Sequence, residues 1–149
     1  MKITHIITDL DTGGAEIMLC KLLASLHDDK ALNSTVISLM GRGKITEQIE
    51  ALGVKVETLD LGQGERPSWQ TIKKLRQCMR TFNPDIVQGW MYHGNIAATV
   101  AIFLFDPMCI KVKLFWNVRQ TLYDINSEKI RTRWLIILGR WLSFFPHSI

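Results

Sequence analysis

The chain has 149 residues, a one-domain length, with 47% hydrophobic and 21% charged side chains and a formal net charge of +4. That mix excludes a disordered or collagen-like chain and suffices for a buried core without metals or disulfides. The charge is uneven: residues 1–72 hold 7 basic and 10 acidic side chains, and residues 73–149 hold 11 and 4. The basic second half suits a membrane surface, a phosphorylated ligand or nucleic acid, or is simply a solvated basic face.

Lys2–Thr8 is rich in β-branched residues and predicts a buried strand. A glycine turn, Asp9-Leu-Asp-Thr-Gly-Gly14, leads into Ala15–Leu26, where Leu19, Leu22, Leu23 and Leu26 recur at helical spacing. Ser34–Leu39 predicts a second strand, Gly41-Arg-Gly43 a loop, and Thr46–Leu52 a short helix closed by Gly53. Val54–Leu59 is a third strand, followed by a polar loop. Ser68 suits the N-cap of a helix to Phe82, whose apolar stripe is Trp69, Ile72, Leu75, Met79 and Phe82, and Asn83-Pro84 stops it. Asp85–Trp90 predicts a fourth strand, Asn95–Leu104 an Ala-rich helix and Lys111–Trp116 a fifth strand. A loop over 117–126 then precedes a last helix, capped by Asn126 or Ser127 and running to about Leu142. Strands alternating with helices, without hairpin signals, predict an α/β fold: a Rossmann-like parallel sheet with helices on both faces.

Cys20, Cys78 and Cys109 are odd in number and lack CxxC spacing, so neither a disulfide framework nor a zinc site is supported. Reduced core thiols favour a cytoplasmic location. Asp9 and Asp11 interrupt the N-terminal apolar run too early for a signal peptide. The apolar runs at 96–105 and 134–138 are shorter than the roughly 18 residues a membrane span needs.

In a parallel sheet of this kind, ligands bind beyond the carboxyl ends of the strands. Thr12-Gly-Gly-Ala-Glu16 occupies such a place: glycine permits close approach, and the following helix offers free N–H groups to a phosphate. A tight turn needed only by the chain would look the same. The full Gly-x-Gly-x-x-Gly is absent, and Leu39-Met40 stands where a dinucleotide site wants an acid, which argues against NAD. Asp9 and Asp11, with Asp60 as a third carboxylate, could hold a metal in a phosphoacceptor, but a Gly-Gly loop does not fit such a site, and turn chemistry suits Asp9 and Asp11 better. Trp90-Met-Tyr-His-Gly-Asn95 gathers two rings, an imidazole and an amide, groups that stack on sugars, bond to them and exchange protons. An aromatic core edge with an idle His93 is the competing interpretation. Arg119, after the fifth strand, suits a phosphate or carboxylate, or pairs with Asp124 or Glu128. The last predicted helix mixes Trp134 and Trp141 with Lys129, Arg131, Arg133 and Arg140, a pattern for packing on another domain or for lying at a membrane interface.

Several of these segments together resemble one family. Ile6-Ile-Thr-Asp-Leu-Asp-Thr-Gly-Gly-Ala-Glu16, Val36–Leu39, Pro84-Asp-Ile-Val-Gln88, Trp90–Asn95, Trp116-Asn-Val-Arg-Gln120 and Thr132–Trp134 resemble, in order, the N-terminal half of retaining GT-B glycosyltransferases of the group 1 (family 4) set. The resemblance implies one half of a two-domain GT-B architecture. In that architecture the N-terminal domain faces the acceptor, and a C-terminal domain grips the nucleotide-sugar donor through paired glutamates. It implies donor-phosphate contact at Gly13 and Gly14, and acceptor contact around Trp90, Tyr92, Asn95, Asn117 and Arg119. Gln120 stands where the family often has histidine, and because glutamine exchanges no protons near neutral pH, His93 is the alternative catalytic candidate.

The resemblance therefore suggests a sugar transferase in cell-surface polysaccharide synthesis. It would use a nucleotide sugar as co-substrate, with no cofactor, no metal and no nucleic acid. Its acceptor would be a saccharide or a lipid-linked sugar, the latter met by peripheral contact at the inner face of the membrane. The pattern stops where a sixth strand is expected, so the donor-binding domain is expected to be missing and the chain inactive alone. The alternative is a standalone Rossmann-like module that binds a phosphorylated ligand or completes a split enzyme in trans.

Overall fold

Strand β1 (Lys2–Ile7) is buried from Thr4 onward, because it lies at the centre of a five-stranded parallel sheet with helices on both faces. The structure is a computed structural model and describes residues 1–106 and 111–118. After β1 come α1 (Gly14–Leu26), β2 (Asn33–Ser38), α2 (Thr46–Ala51), β3 (Lys55–Thr58) and α3 (Trp69–Phe82). The described chain then continues through β4 (Ile86–Trp90), α4 (Met91–Phe105) and β5 (Lys113–Asn117). The strand order is β3-β2-β1-β4-β5, the Rossmann-like arrangement that the alternation of strands and helices predicts. The predicted last helix, Arg119 and Gln120 lie outside the described residues.

Alternation along the strands divides the core into two layers. Ile7, Val36 and Trp90 face α1 and α2, where Ala15, Leu19, Leu23 and Ile49 complete one cluster. Ile6, Ile37, Val87, Leu114 and Trp116 face α3 and α4, meeting Leu75, Met79, Ala98, Ala101 and Ile102. Successive side chains on a strand point to opposite faces, so the same few strands supply both layers with alternate residues.

Helix α3 starts where the sequence predicts: the Ser68 Oγ accepts the Thr71 N–H at 3.2 Å. It ends at Asn83, left-handed at φ 52°, which returns its N–H to the Met79 carbonyl at 2.8 Å. Helix α4 departs from expectation. It begins at Met91, four residues before the predicted Asn95, so Tyr92, His93 and Gly94 are helical rather than part of a loop. A strand turns into a helix here within one residue, and Met91 takes up the turn at φ 62°. Two glycines then let α4 lie close on the sheet. A Cβ on Gly94 would come within 2.5 Å of the Ile6 carbonyl oxygen, and one on Gly89 within 2.5 Å of the Asn95 Cα. Among the described residues, no helix is long and apolar enough to cross a membrane.

Candidate functional site

The chain reverses its direction of travel across the sheet between β1 and β4, and in sheets of this kind ligands bind beyond the carboxyl ends of the strands at such a point. Helix α1 opens on one side of it and α4 on the other, because each helix follows its strand at the carboxyl edge. Neither helix has a side-chain cap: Gly13 and Trp90 are the N-cap residues, and neither contributes a side-chain hydrogen bond. Two sets of first-turn N–H groups, with the positive ends of their helix dipoles, therefore converge on one edge.

Gly13 and Gly14 differ in what they require. A side chain at Gly13 would collide with the carboxylate of Glu16, which folds back over the first turn of α1. At Gly14 a Cβ would meet none of the described residues within 4 Å. Gly14 is also not held at positive φ. The protein itself thus places no demand for glycine at 14, and the space beside that backbone is open. The Glu16 carboxylate lies at the positive end of α1, where an arriving anion would have to displace it.

The loops at this edge are laced together. Leu39 N–H and Met40 N–H donate to the carbonyls of Ile7 and Thr8, and Ile45 N–H donates to the Leu10 carbonyl, all at 2.9 Å. Gly43 fits so closely that a Cβ there would overlap the Leu10 carbonyl. Asp9 Oδ1 accepts the Asp11 N–H at 3.1 Å, which is turn chemistry. Asp60 bonds Lys74 Nζ at 3.0 Å and Thr58 Oγ1 at 2.8 Å. Lys74 and then Thr58 hold the Asp60 carboxyl below its usual range.

The residues of the Trp90–Asn95 segment separate. His93 is exposed on the first turn of α4, and desolvation by its protein surroundings lowers its pKa. Tyr92 beside it is half-buried. Trp90, expected to stack on an acceptor, is 1% exposed and lies in the α1/α2 core, where its indole N–H donates to His5 Nδ1 at 3.3 Å. Asn95 is 2% exposed, and neither its side-chain nitrogen nor its side-chain oxygen has a hydrogen-bond partner among the described residues. It lies over Gly89, between α4 and the sheet. Asn117 is half-buried at the end of β5 and is the ladder neighbour of Trp90.

Sequence reasoning passes over His5. It is 1% exposed on β1, and burial pushes its pKa down to about 4, with Gln88 on the neighbouring strand pulling weakly the other way. Its Nδ1 accepts from Trp90, so the proton sits on Nε2, which has no partner at hydrogen-bond geometry among the described residues. The β-branched surroundings at 3–8 signal a buried strand, and a histidine inside it has to be buried too. Gly89 is likewise legible, since a lone glycine within a strand pattern marks close backbone approach.

No protein-family model matches the chain, and no curated protein matches it. Solved structures do. A UDP-GlcNAc 2-epimerase from Neisseria meningitidis, bound to UDP-GlcNAc, superimposes with a TM-score of 0.58 at 18% identity, over 93% of this chain and 38% of that one. A Listeria monocytogenes protein provisionally assigned as a UDP-N-acetylglucosamine 2-epimerase gives a TM-score of 0.49 at 20% identity, over 77% of this chain and 29% of that one. The first likeness is one of fold: the Rossmann-like α/β sheet recurs across nearly the whole chain. The chain spans well under half the length of either structure.

Proposed function

We propose that the chain is the acceptor-side, N-terminal part of an enzyme that acts on a nucleotide sugar. In this proposal the first turn of α1 at Gly13 and Gly14 meets the donor diphosphate. The observation that carries it is the open backbone at Gly14. A glycine that neither its own conformation nor its neighbours require, at an uncapped helix start beside the switch point, is what a diphosphate needs for close approach. The fold shared with an enzyme bound to UDP-GlcNAc supports the same ligand class.

The reaction favoured is transfer of the sugar to a saccharide or lipid-linked acceptor in cell-surface polysaccharide synthesis, as the sequence resemblance implies. His93 on α4 faces solvent at the same edge. Desolvation favours its neutral form at neutral pH, so it serves as a base toward an acceptor hydroxyl. Tyr92, Asn117 and Arg119 would bind the acceptor. Trp90 acts from the core, by fixing the β4–α4 turn on which His93 stands. Neither a metal nor a further cofactor enters this chemistry. Epimerisation of a nucleotide sugar is the second reading, favoured by the epimerase likeness over 93% of the chain.

The test is a titration of the 15N-labelled chain with UDP-GlcNAc, followed by amide spectra of the wild type and of Gly14→Val. The wild-type amides of residues 13–16 are expected to move, and those of the variant to stay in place while its thermal unfolding is unchanged. Wild-type amides at 13–16 that ignore the ligand would sink the proposal, as would a variant that responds like the wild type. With the remaining domain present, release of UDP only when acceptor is added marks transfer, and a reversible change of the sugar without UDP release marks epimerisation.

A further inference from the structure

We propose that the outer face of α3 is a docking surface for an anionic lipid bilayer. This surface is independent of the nucleotide-sugar proposal, and its charge is one-sided. Arg66, Lys73, Lys74, Arg76 and Arg80 are the only charged residues between 66 and 84, and all are basic. The helix packed beside α3, α4, carries no Asp, Glu, Lys or Arg. This helix layer therefore presents cations without acids of its own.

The cations also line up. Trp69, Lys73, Arg76 and Arg80 follow one another at intervals of four, three and four residues, so they share one face of the helix. All four are exposed, while Leu75 and Met79, on a different face, hold the helix to the core. Lys74, off this stripe, is tied to Asp60, and Arg76 donates its Nε–H to the Leu104 carbonyl at 3.2 Å. Lys73 and Arg80 have no acidic partner among the described residues. At the head of the stripe Trp69 is 78% exposed, more than any other large hydrophobic residue described. An amphipathic helix with a basic outer face and a projecting indole fits the headgroup region of an anionic membrane: the cations meet lipid phosphates and the indole enters the interface. A nucleic acid would satisfy the same cations. A single convex helix face, however, offers no groove to track a strand, and a broad planar partner matches it better.

The orientation has a consequence for the site. α3 begins at the carboxyl edge of the sheet, the edge that also carries Gly14 and His93. Docked through Trp69, the molecule holds that edge beside the bilayer.

The experiment is co-sedimentation of the full chain with vesicles of phosphatidylcholine alone and of an equimolar phosphatidylcholine–phosphatidylglycerol mixture. It compares the wild type with Trp69→Ala and with the double variant Lys73→Glu, Arg80→Glu. These side chains are exposed, so thermal unfolding of the variants is expected to match the wild type. Binding is expected to the anionic vesicles only, to weaken with salt, and to fall by about tenfold or more in each variant. The difference emission spectrum between wild type and Trp69→Phe is expected to shift to the blue on those vesicles. Equal binding to neutral vesicles, or variants that bind anionic vesicles as well as the wild type, would overturn the proposal. So would tighter binding to a single-stranded RNA oligonucleotide with the same dependence on Trp69, which would reassign the face to nucleic acid.

Discussion

Acid should destabilise this fold through His5 in particular. Its imidazole is buried on the central strand and its pKa is held down to about 4, against 6.5 in the unfolded chain. Between those values the unfolded state carries a proton that the folded state refuses. Stability is therefore complete above the unfolded value and drains away as pH falls toward the folded one. A tenfold difference in proton affinity between the two states is worth about 1.4 kcal/mol, so protonation of His5 costs about 2 kcal/mol at pH 5 and about 3 kcal/mol at pH 4, relative to neutral pH. His5→Gln stays neutral throughout and can still accept the Trp90 indole N–H. Urea unfolding of both proteins across this range, taken as the difference between the two curves, cancels the groups they share. The wild type is expected to lose ground against the variant steadily from about pH 6.5 downward. A difference that stays flat to pH 5 would refute the argument, and would mean that water or a rearranged Gln88 solvates the ring.

Other contacts can be probed one at a time. Gly94→Ala places a methyl against the Ile6 carbonyl and should cost about 1–3 kcal/mol as α4 lifts from the sheet, measured by chemical denaturation. Ser68→Ala removes the side-chain cap of α3 and should cost about 1 kcal/mol in the same assay, while Ser68→Gly costs less. On the proposed function, His93→Ala should lower kcat more than Gln120→Ala. Because the pKa of His93 is lowered, wild-type activity should already be on its plateau at neutral pH and fall only below the ordinary histidine value. The reverse order of the two variants would move the proton-transfer role away from α4.

Much of this fold can be read from local chemistry. The β-branched runs, the Gly-Gly turn, the Ser68 cap and the Asn83 stop each act within a few residues, and the structure places them where their chemistry predicts. The start of α4 cannot be read in this way. Its N-cap is a tryptophan with no capping side chain, and its first residue is a methionine at positive φ, which local propensity assigns to glycine or asparagine. What fixes that turn is distant: Trp90 packing with Ile7 and Leu10, and Gly89 and Gly94 admitting the helix backbone. The site divides along the same line. Gly14 and His93 stand at the edge where strand-end reasoning puts them, whereas Trp90 and Asn95 are drawn inward by packing that no short window of sequence contains.

The bonds between the β1 and β2 loops bear on how the site can respond to a ligand. Ile7, Thr8 and Leu10 each give a carbonyl to the β2 side, and Gly43 leaves no gap for slippage. The loop after β1 is therefore tied to the loop after β2 as far as Leu10. Movement of residues 7–10 is shared with residues 39–45, so these two stretches form one coupled rim. A rim of that kind trades adaptability for a fixed shape, and on the proposed function ligand selection would rest on shape set in advance rather than on closure after capture.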